Sequence, residues 1–381
     1  MSHPTASSLL TRTSPALPID WYFDPKIFSL EQELLFKRGA NYVGHELMTP
    51  NPGDFQVLDW LHGGGKMLVN NGNDPNGNNQ ARRIELLSNV CRHRQAQMLR
   101  GRGSAQNNGQ HIVCPFHRWT YDTQGQLLGA PHFADNPCLN LPKTPLTNWN
   151  GLLFSGPRDI HTDLAKLGVA AEMDFAGFVY ESTQITEYKF NWKTFIEVYL
   201  EDYHVVPYHP GLGNFVNCDE LKWEYGEMYS VQTVGVQDHL ATPGSAVYNR
   251  WHQQVKRYRN GEDPAHGAIW LTYYPALMVE WYPHTLVVSN IIPTGVDSCL
   301  NVVEFYYPED IALFEREFVE AEQAAYRETA VEDDDICYGM QKGRKALYEQ
   351  GINQVGPYQS PMEDGMVHFH EWLRRMIQPH L

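Results

Sequence analysis

The stretch CPFHRWTYD, from Cys114 to Asp122, places a cysteine and a histidine three positions apart with a proline between them. Upstream, CRH from Cys91 to His93 offers a second pair, and residues 94–113 separate the two. A thiolate is a soft ligand and an imidazole a borderline one, so each pair can bind a transition metal from a loop tip. Together the two pairs predict one metal centre.

Two kinds of metal centre use two cysteines and two histidines. A tetrahedral zinc site takes this ligand set, and on ligand count alone zinc is the commoner answer. A Rieske [2Fe–2S] centre needs the same set, with two cysteines on one iron and two histidines on the other. Zinc fingers group like ligands together, whereas here each loop carries one of each. The mixed spacing therefore favours the iron–sulfur cluster.

A second group of candidate ligands lies in NWKTFIEVYLEDYHVVPYHP, residues 191–210. His204 and His209 are five positions apart, which on one continuous helix rotates the second imidazole by roughly 140°, too far to share a metal ion. Pro207 cannot continue a helix, so we expect the chain to turn just after His204 and bring both imidazoles together. Two imidazoles and a carboxylate form the facial triad of non-haem Fe(II) oxygenases, whereas two structural histidines are the alternative.

The Cys/His loops followed by this histidine pair resemble the Rieske non-haem iron oxygenases, and the similarity extends to the C-terminal helix. The flanks CRHR and CPFHRWTYDTQG are similar to the two iron-binding loops of that family. The linker of twenty residues (94–113) is long for the family, and Gln95 stands where a glycine is usual. Both departures lie in or near a polar, glycine-dotted segment, so we expect a surface insertion and an intact cluster. The resemblance implies a [2Fe–2S] cluster bound by Cys91, His93, Cys114 and His117.

The resemblance also implies a third ligand for a mononuclear iron. In the family this ligand lies in a stretch like Glu-Asp-x-x-Ile-Cys-x-x-x-Gln, and EDDDICYGMQ begins at Glu332. The match by position makes Asp333 the ligand that joins His204 and His209. Asp334 and Asp335 crowd that position, and we expect them to form a solvated helix end.

Three further residues are implied by the same resemblance. The family uses a carboxylate three residues before the first histidine to bridge the two metal sites between neighbouring subunits. Here that position is Glu201, with Asp202 beside it, and on a helix Glu201 and His204 share one face. Glu is a modest departure from the more common Asp. Asn191 matches a residue that is often near the iron.

Composition limits the partners of the chain. The net charge of −16 argues against nucleic acid and anionic membrane surfaces, because both attract Lys and Arg. No secretory signal and no membrane-spanning run of about 18 apolar residues is visible. Six cysteines in 381 residues are too few for a disulfide scaffold, so we expect free thiols or metal ligands and a cytoplasmic protein. GLG at Gly211–Gly213 lacks the third glycine of a dinucleotide site, so we expect electrons from another protein.

The organisation along the chain predicts an α+β protein in three segments. Residues 1–40 form an N-terminal arm and a helix, which SLEQELLFKR predicts to start at Ser29. Residues 41–160 contain short β-type runs and form a small antiparallel β Rieske [2Fe–2S] domain, with Trp119 and Tyr121 packed beneath the cluster. Residues 161–381 form a larger, helix-grip-like catalytic domain for the mononuclear iron, with a central antiparallel sheet flanked by helices.

The resemblance implies the oxygenase component of a multicomponent system. Such a component uses O2 to hydroxylate a small organic substrate, by monooxygenation or by oxidative dealkylation. A separate NAD(P)H-dependent reductase or ferredoxin supplies single electrons to the cluster, from which they pass to the iron, and a homotrimer closes the head-to-tail electron path. The alternatives are a Rieske electron carrier without catalysis and a zinc-stabilised binding module.

The substrate is the least defined part of the prediction. The sequence looks most like the choline, glycine betaine and carnitine monooxygenase branch, in which a quaternary ammonium compound is oxidised. Aromatic residues could cage such a cation by cation–π attraction, although alternating aromatics in strands more often belong to the core. An aromatic-ring hydroxylating oxygenase acting on an aromatic acid or amine is the alternative. The candidate cage residues are Trp270, Tyr273, Tyr274, Trp281 and Tyr282.

Overall fold

The computed structural model describes residues 16–61, 63–73 and 82–381, so the predicted arm at residues 1–15 lies outside the described residues. The chain divides into two compact units, one formed by residues 38–161 and the other by residues 1–37 together with 162–381. Among the described residues, no helix is long and apolar enough to cross a membrane.

The smaller unit consists of short antiparallel strands joined by turns. Its strands are β1 (Asn41–His45), β2 (Asp54–Val57), β3 (Lys66–Asn73), β4 (Arg82–Ser88), β5 (Arg102–Ser104), β6 (His111–Val113), β7 (Thr120–Asp122), β8 (Leu127–Gly129), β9 (Lys143–Thr144), β10 (Thr147–Trp149) and β11 (Leu152–Ser155).

These strands form three antiparallel sheets, with strand orders β1-β11-β10, β5-β2-β3-β4-β9 and β6-β7-β8. One buried cluster combines Val57 and Met67 with both loop cysteines, Cys91 and Cys114. Trp119 and Tyr121 belong to the same cluster and are 2% and 0% exposed, which confirms that they pack beneath the Cys/His loops.

The larger unit is built on one seven-stranded antiparallel sheet with the order β12-β18-β17-β16-β15-β14-β13. β-Branched and aromatic side chains dominate its central strands, and the burial of both faces follows from helices that cover the sheet. The strands are β12 (Phe178–Tyr188), β13 (Val216–Tyr225), β14 (Tyr229–Val236), β15 (Ala268–Tyr273), β16 (Leu277–Tyr282), β17 (Thr285–Gly295) and β18 (Ser298–Pro308).

The helices of the chain complete an α+β fold, as the sequence predicted. The longest of them, residues 316–349, packs against the helices at residues 192–199 and 246–258. The α-helices are α1 (Pro25–Glu31), α2 (Ile160–Asp163), α3 (Trp192–Tyr199), α4 (Val205–Tyr208), α5 (Ala246–Tyr258), α6 (Glu309–Phe314), α7 (Arg316–Glu349) and α8 (Asp364–Ile377).

Helix α1 begins earlier than the sequence predicted. The side chain of Asp24 caps it by accepting a hydrogen bond from the backbone N–H of Lys26 at 2.8 Å, and Pro25 occupies the first helical position. Proline is favoured at the first helical position because an N–H at this position would have no hydrogen-bond partner within the helix. Ser29 lies inside the helix, so the prediction of a helix start at Ser29 is wrong.

Candidate metal centres and substrate cavity

The two Cys/His loops share one backbone geometry. The carbonyl of Cys91 accepts a hydrogen bond from the N–H of Gln95, and that of Cys114 accepts one from Arg118, each at 3.1 Å. Gln95 and Arg118 both adopt the left-handed conformation, with φ of 55° and 61°. The glycine usual at the position of Gln95 adopts this conformation without strain, which explains why it is common there. The two loops therefore have the same backbone conformation and can bind one metal cluster from opposite sides.

The four predicted cluster ligands converge between these loops. Cys91 and Cys114 are buried, whereas His93 and His117 lie at the surface with their Nδ1 atoms 3.2 Å apart. The Tyr121 hydroxyl lies 3.6 Å from the Cys91 sulfur and accepts a hydrogen bond from a loop N–H. Two thiols inside and two imidazoles outside fit a [2Fe–2S] cluster with one iron of each ligand type.

The ring of His93 is held in place by its neighbours. It stacks on the indole of Trp119 with a centroid distance of 5.0 Å and an interplanar angle of 8°. Trp119 is itself buried and also contacts Phe133 edge to face. The outer ligand ring is thus oriented by a fixed aromatic surface rather than by solvent.

The second pair of histidines is brought together by a break in the helix at residues 200–204. Helix α3 ends at Tyr199, and α4 begins only at Val205. Pro207 is the third residue of α4, where a first-turn N–H is not needed, so it does not break that helix. The prediction that Pro207 turns the chain after His204 is wrong in its location, because the turn precedes His204.

His204, His209 and Asp333 meet at one point. The Oδ1 atom of Asp333 lies 3.3 Å from His204 Nε2 and 3.0 Å from His209 Nε2. One ligand atom from each of the three lies within 4.8 Å of the others. Asp333 reaches this point from the interior of the long helix α7. The prediction of a solvated helix end at Asp334 and Asp335 is therefore wrong: Asp335 is exposed, but Asp334 is half-buried beside Tyr188, and the helix continues to Glu349.

Two further carboxylates orient the imidazoles. Glu201 Oε1 lies 2.6 Å from His204 Nδ1, and Glu332 Oε2 lies 2.7 Å from His209 Nδ1. Metal-bound histidines commonly donate their second ring N–H to a carboxylate in this way, which fixes the tautomer and the ring direction. The sequence predicted that Glu201 would act from a helix face, but in the structure Glu201 lies in the segment between α3 and α4. The role of Glu332 was missed, although its place directly before Asp333 was visible in the acidic run.

The charges at this point favour a cation. Burial lowers the pKa of His204, but the hydrogen bonds with Asp333 and Glu201 outweigh burial and raise the pKa to about 10. Burial raises the pKa of Asp333, yet the two imidazoles outweigh it and hold the pKa below its usual value. A divalent metal ion uses the same lone pairs as these protons. Two imidazoles and one carboxylate fit Fe(II) with open positions.

Asp202 and Asn191 differ in their relation to this site. Asp202 is 2% exposed, lines the cavity next to His204, and burial raises the pKa of its carboxyl to about 7. Asn191 does not line the cavity; it caps α3 by accepting from the N–H of Lys193, and its amide donates to two backbone carbonyls. We therefore assign Asn191 to helix capping and not to the iron site.

A cavity of about 90 Å³ opens beside His204, His209 and Asp333. It accommodates about six to nine groups of the size of a water molecule, at roughly 10–15 Å³ each. Of the five candidate cage residues, Trp270 and Tyr282 line it. Tyr273, Tyr274 and Trp281 do not line it. The hydroxyl of Tyr273 donates a hydrogen bond to Asp163, and the hydroxyl of Tyr274 is hydrogen-bonded to His368. Two of the five predicted rings thus line the cavity, together with aromatic residues that the sequence did not single out: Phe195, Tyr199, Phe215, Tyr248, Trp251 and Tyr326.

Acidic side chains line the cavity. Among the described residues that line it there is no Lys or Arg, whereas five carry carboxyl groups. Two of the five, Glu280 on β16 and Glu322 on α7, are 2% and 3% exposed and were not anticipated from the sequence. The five acidic residues are Glu201, Asp202, Glu280, Glu322 and Asp333.

Both metal centres lie in segments that match known family models. Residues 62–145 match the Rieske [2Fe-2S] domain, and residues 171–379, more than half of the chain, match the ring hydroxylating alpha subunit (catalytic domain). The chain belongs to the Rieske-type ring-hydroxylating oxygenase alpha subunits. It carries a [2Fe–2S] cluster and a mononuclear iron, takes electrons from a separate reductase or ferredoxin, and hydroxylates a small substrate with O2. The electron-carrier and zinc-module alternatives are thereby excluded.

Proteins similar to this chain include two hydroxylases and one monooxygenase of known structure. Putrescine 2-hydroxylase of Ralstonia nicotianae is 58% identical, over 99% of this chain and 100% of its own length. Putrescine 2-hydroxylase of Bordetella bronchiseptica is 53% identical, over 95% of this chain and 84% of its own. In fold, the chain matches the quaternary ammonium Rieske monooxygenase CntA in complex with L-carnitine, with a TM-score of 0.73, 18% identity and coverage of 99% and 100%.

Proposed function

We propose that the protein hydroxylates carbon 2 of putrescine or of a closely similar short aliphatic diamine. The observation that carries the proposal is the acidic cavity beside His204, His209 and Asp333, which suits a small dication. The full-length similarity to two putrescine 2-hydroxylases supports the same substrate class. The reaction balances as one C–H bond, O2, two electrons and two protons giving one C–OH bond and water, with the electrons supplied by the separate reductase or ferredoxin.

Each predicted ligand has a role in this proposal. Cys91, Cys114, His93 and His117 bind the cluster, and His204, His209 and Asp333 bind the mononuclear iron. Bound iron supplies the activation of O2 at the positions that its protein ligands leave open. The protein supplies orientation: Glu201 and Glu332 fix the two imidazoles, and the cavity walls hold the diamine and exclude water.

The walls of the cavity favour primary ammonium groups over the two substrate classes expected from the sequence. An –NH3⁺ group donates hydrogen bonds to carboxylates, whereas a quaternary ammonium has no N–H and needs an aromatic cage. Aromatic rings line the cavity, but buried carboxyl groups lie among them, and a quaternary ammonium has no N–H to donate to these carboxyl groups. An aromatic acid would bring a carboxylate into a space that already holds several carboxyl groups, which Coulomb repulsion disfavours.

A homotrimer in the cytoplasm completes the proposal. Apolar side chains are exposed beside each centre: Phe116 next to the cluster loop, and Tyr203, Val206 and Tyr208 around His204. In a head-to-tail ring these patches can face each other, which buries both. One solved relative, a quaternary ammonium Rieske monooxygenase, transfers electrons between subunits. None of the six cysteines forms a disulfide, which supports a reducing compartment.

Glu201 bridges the two centres across the subunit boundary in this proposal. Glu201→Gln should retain the cluster and, after loading with Fe(II) to one mononuclear iron per chain, should lose the reduced-cluster spectrum more slowly than wild type on mixing with O2 and substrate. Glu187→Gln, on the exposed part of β12, is the matched control and should behave as wild type. Unchanged electron-transfer rates in Glu201→Gln contradict the bridging role.

A substrate panel tests the proposed function. Purified protein, supplied with a reductase and NAD(P)H, is assayed for substrate-dependent O2 uptake with putrescine, choline, carnitine and benzoate, and products are identified by mass spectrometry. We expect uptake and a product heavier by one oxygen with putrescine. Uptake confined to choline, carnitine or benzoate refutes the diamine proposal.

A further inference from the structure

We infer that Glu280 and Glu322 together form the binding site for the ammonium group farther from the metal ligands, and so set which diamine fits and which carbon is hydroxylated. This inference rests on the proposed function. It concerns two buried acidic residues that are not among the metal ligands. It rests on their contacts, on the position of Glu322 along α7, and on the absence of Lys and Arg among the described residues that line the cavity.

The two carboxyl groups are positioned by tyrosines and not by cations. Glu280 accepts hydrogen bonds from Tyr282 at 2.8 Å and from Tyr326 at 3.1 Å, and Glu322 accepts one from Tyr307. In the part of the chain that the structure describes, no Lys or Arg lines the cavity with them. Buried carboxylates are normally paired with a cation, because an unpaired buried charge is costly. A bound ammonium provides that partner.

Helix α7 gives the position of the pair relative to the metal ligands. Glu322, Tyr326 and Asp333 line the same cavity from this helix. Glu322 and Asp333 are eleven positions apart, which at ~1.5 Å per residue separates them by about 16 Å along the axis. One metal ion cannot be shared across that distance. Glu280 accepts a hydrogen bond from Tyr326 and interacts electrostatically with both Glu322 and Asp333, so it lies between the two ends.

An extended four-carbon diamine is shorter than the interval of about 16 Å along the helix axis, so it can lie between the two ends. Five bonds of roughly 1.5 Å place the nitrogens of an extended four-carbon diamine about 6 Å apart. With the far nitrogen fixed, the number of methylenes decides which carbon lies nearest the metal ligands.

A further polar atom supports a ligand in this space. Tyr199 lines the cavity, and its hydroxyl is buried and has no hydrogen-bond partner among the described residues. A buried hydroxyl without a partner costs free energy, and nearly all such groups in proteins bond to something. An ammonium group offers three N–H donors, enough for two carboxylates and one hydroxyl oxygen.

Binding measurements with a diamine and a monoamine test the inference. The dissociation constants of putrescine and 1-aminobutane are measured by calorimetry for wild type, Glu280→Gln and Glu322→Gln, with Glu317→Gln as a control on the exposed face of the same helix. We expect each cavity variant to bind putrescine about tenfold to hundredfold more weakly, as for the loss of a charged hydrogen bond. Binding of 1-aminobutane, which has no second ammonium, should change less than threefold, and the control should match wild type.

Chain length provides a second, independent readout. Glu322→Asp keeps the charge but withdraws the carboxylate by about one C–C bond, roughly 1.5 Å. The ratio of kcat/KM for 1,5-diaminopentane over putrescine should rise about tenfold in this variant, the usual effect of one methylene. Far-UV circular dichroism and the mononuclear iron content, recorded for every variant, verify that the catalytic unit is folded.

The outcomes separate this inference from the proposed function. Wild-type protein that binds no putrescine refutes the proposed function. Putrescine binding that is normal in both Gln variants overturns the inference alone, as does an equal loss of putrescine and 1-aminobutane. Gln variants with a lower kcat and unchanged dissociation constants also overturn the inference, because that pattern indicates a role in proton transfer and not in binding.

Discussion

At the scale of single residues, the cluster loops show how a local conformation limits the choice of side chain. Gln95 and Arg118 occupy equivalent positions, each donating its N–H to the carbonyl of the loop cysteine four residues earlier. Both have positive φ, where a side chain with a Cβ is strained by about 1–2 kcal/mol. The strain is tolerated because the surrounding hydrogen bonds fix the loop.

Gln95→Gly should therefore stabilise the smaller unit by up to about 1 kcal/mol, since glycine relieves the strain but loses more entropy on folding. Thermal unfolding followed by the visible absorption of the cluster measures the change. Arg94→Gly is the matched control: Arg94 is not among the residues with positive φ, so the same substitution should lower the stability. Equal shifts in both variants contradict the strain argument.

The cavity carboxyl groups predict a dependence of substrate binding on pH. Burial raises the pKa of Glu280 to about 7, with Asp333 adding to the rise and the Tyr282 and Tyr326 hydroxyls opposing it. Burial raises the pKa of Glu322 to about 8, with Glu280 adding to the rise and Tyr307 opposing it. An ammonium binds the ionised carboxylates, so its binding must release their protons at pH values below these pKa values.

Putrescine should accordingly bind more tightly as the pH rises from 6 to 8.5, a range in which its amines stay protonated, because alkyl ammonium pKa values are near 10. Calorimetry in two buffers of different ionisation enthalpy should show release of about one to two protons at pH 6.5 and nearly none at pH 9. A dissociation constant that does not vary with pH, or an equal dependence for 1-aminobutane, contradicts this expectation.

At the scale of secondary-structure elements, helix α7 connects the parts of the catalytic site. It carries Glu322 at the far end of the cavity, Tyr326 in the middle, and Glu332 and Asp333 at the metal ligands. Glu332 and Asp333 are consecutive but contact opposite nitrogens of the same imidazole, His209. One helix thus contributes both to the candidate iron ligands and to the wall of the acidic cavity.

Removing the second carboxylate of His209 should weaken iron binding without affecting the cluster. Glu332→Gln is expected to lower the affinity for the mononuclear iron by about tenfold to hundredfold, the usual effect of losing such a hydrogen-bond partner. Iron content after dialysis against a chelator, compared with acid-labile sulfide, measures it. Asp335→Asn, exposed on the same helix, is the control. An unchanged iron content in Glu332→Gln contradicts the orienting role.

The elements that sequence reasoning predicted best are those with strong local chemistry. The strands of residues 267–308 and the packing of Trp119 and Tyr121 follow from residue type and alternation. The break between α3 and α4 was misplaced, because Pro207 is compatible with a first helical turn and the turn at residues 200–204 depends on tertiary contacts. Glu280 and Glu322 were missed, since one belongs to a strand and the other to a helix, and only the fold brings them to one cavity.

At the scale of the whole molecule, the protein combines an electron-accepting unit and a catalytic unit in one chain. The first places two thiols and two imidazoles at the tips of matching loops, and the second places two imidazoles and a carboxylate beside an acidic cavity. Neither ligand set is sufficient for oxygenation, because the first holds no substrate and the second has no electron source of its own. About three irons per chain are therefore expected, two in the cluster and one mononuclear.

The transfer of oxygen from O2 to a diamine tests the account most directly. Purified protein with its reductase, NAD(P)H and putrescine is reacted under ¹⁸O2, and the product is analysed by mass spectrometry and by NMR for the position of the hydroxyl group. We predict one ¹⁸O atom at carbon 2, and no product from His204→Ala, whose cluster spectrum should remain unchanged. Product oxygen derived from water, or equal product from His204→Ala, would contradict the account.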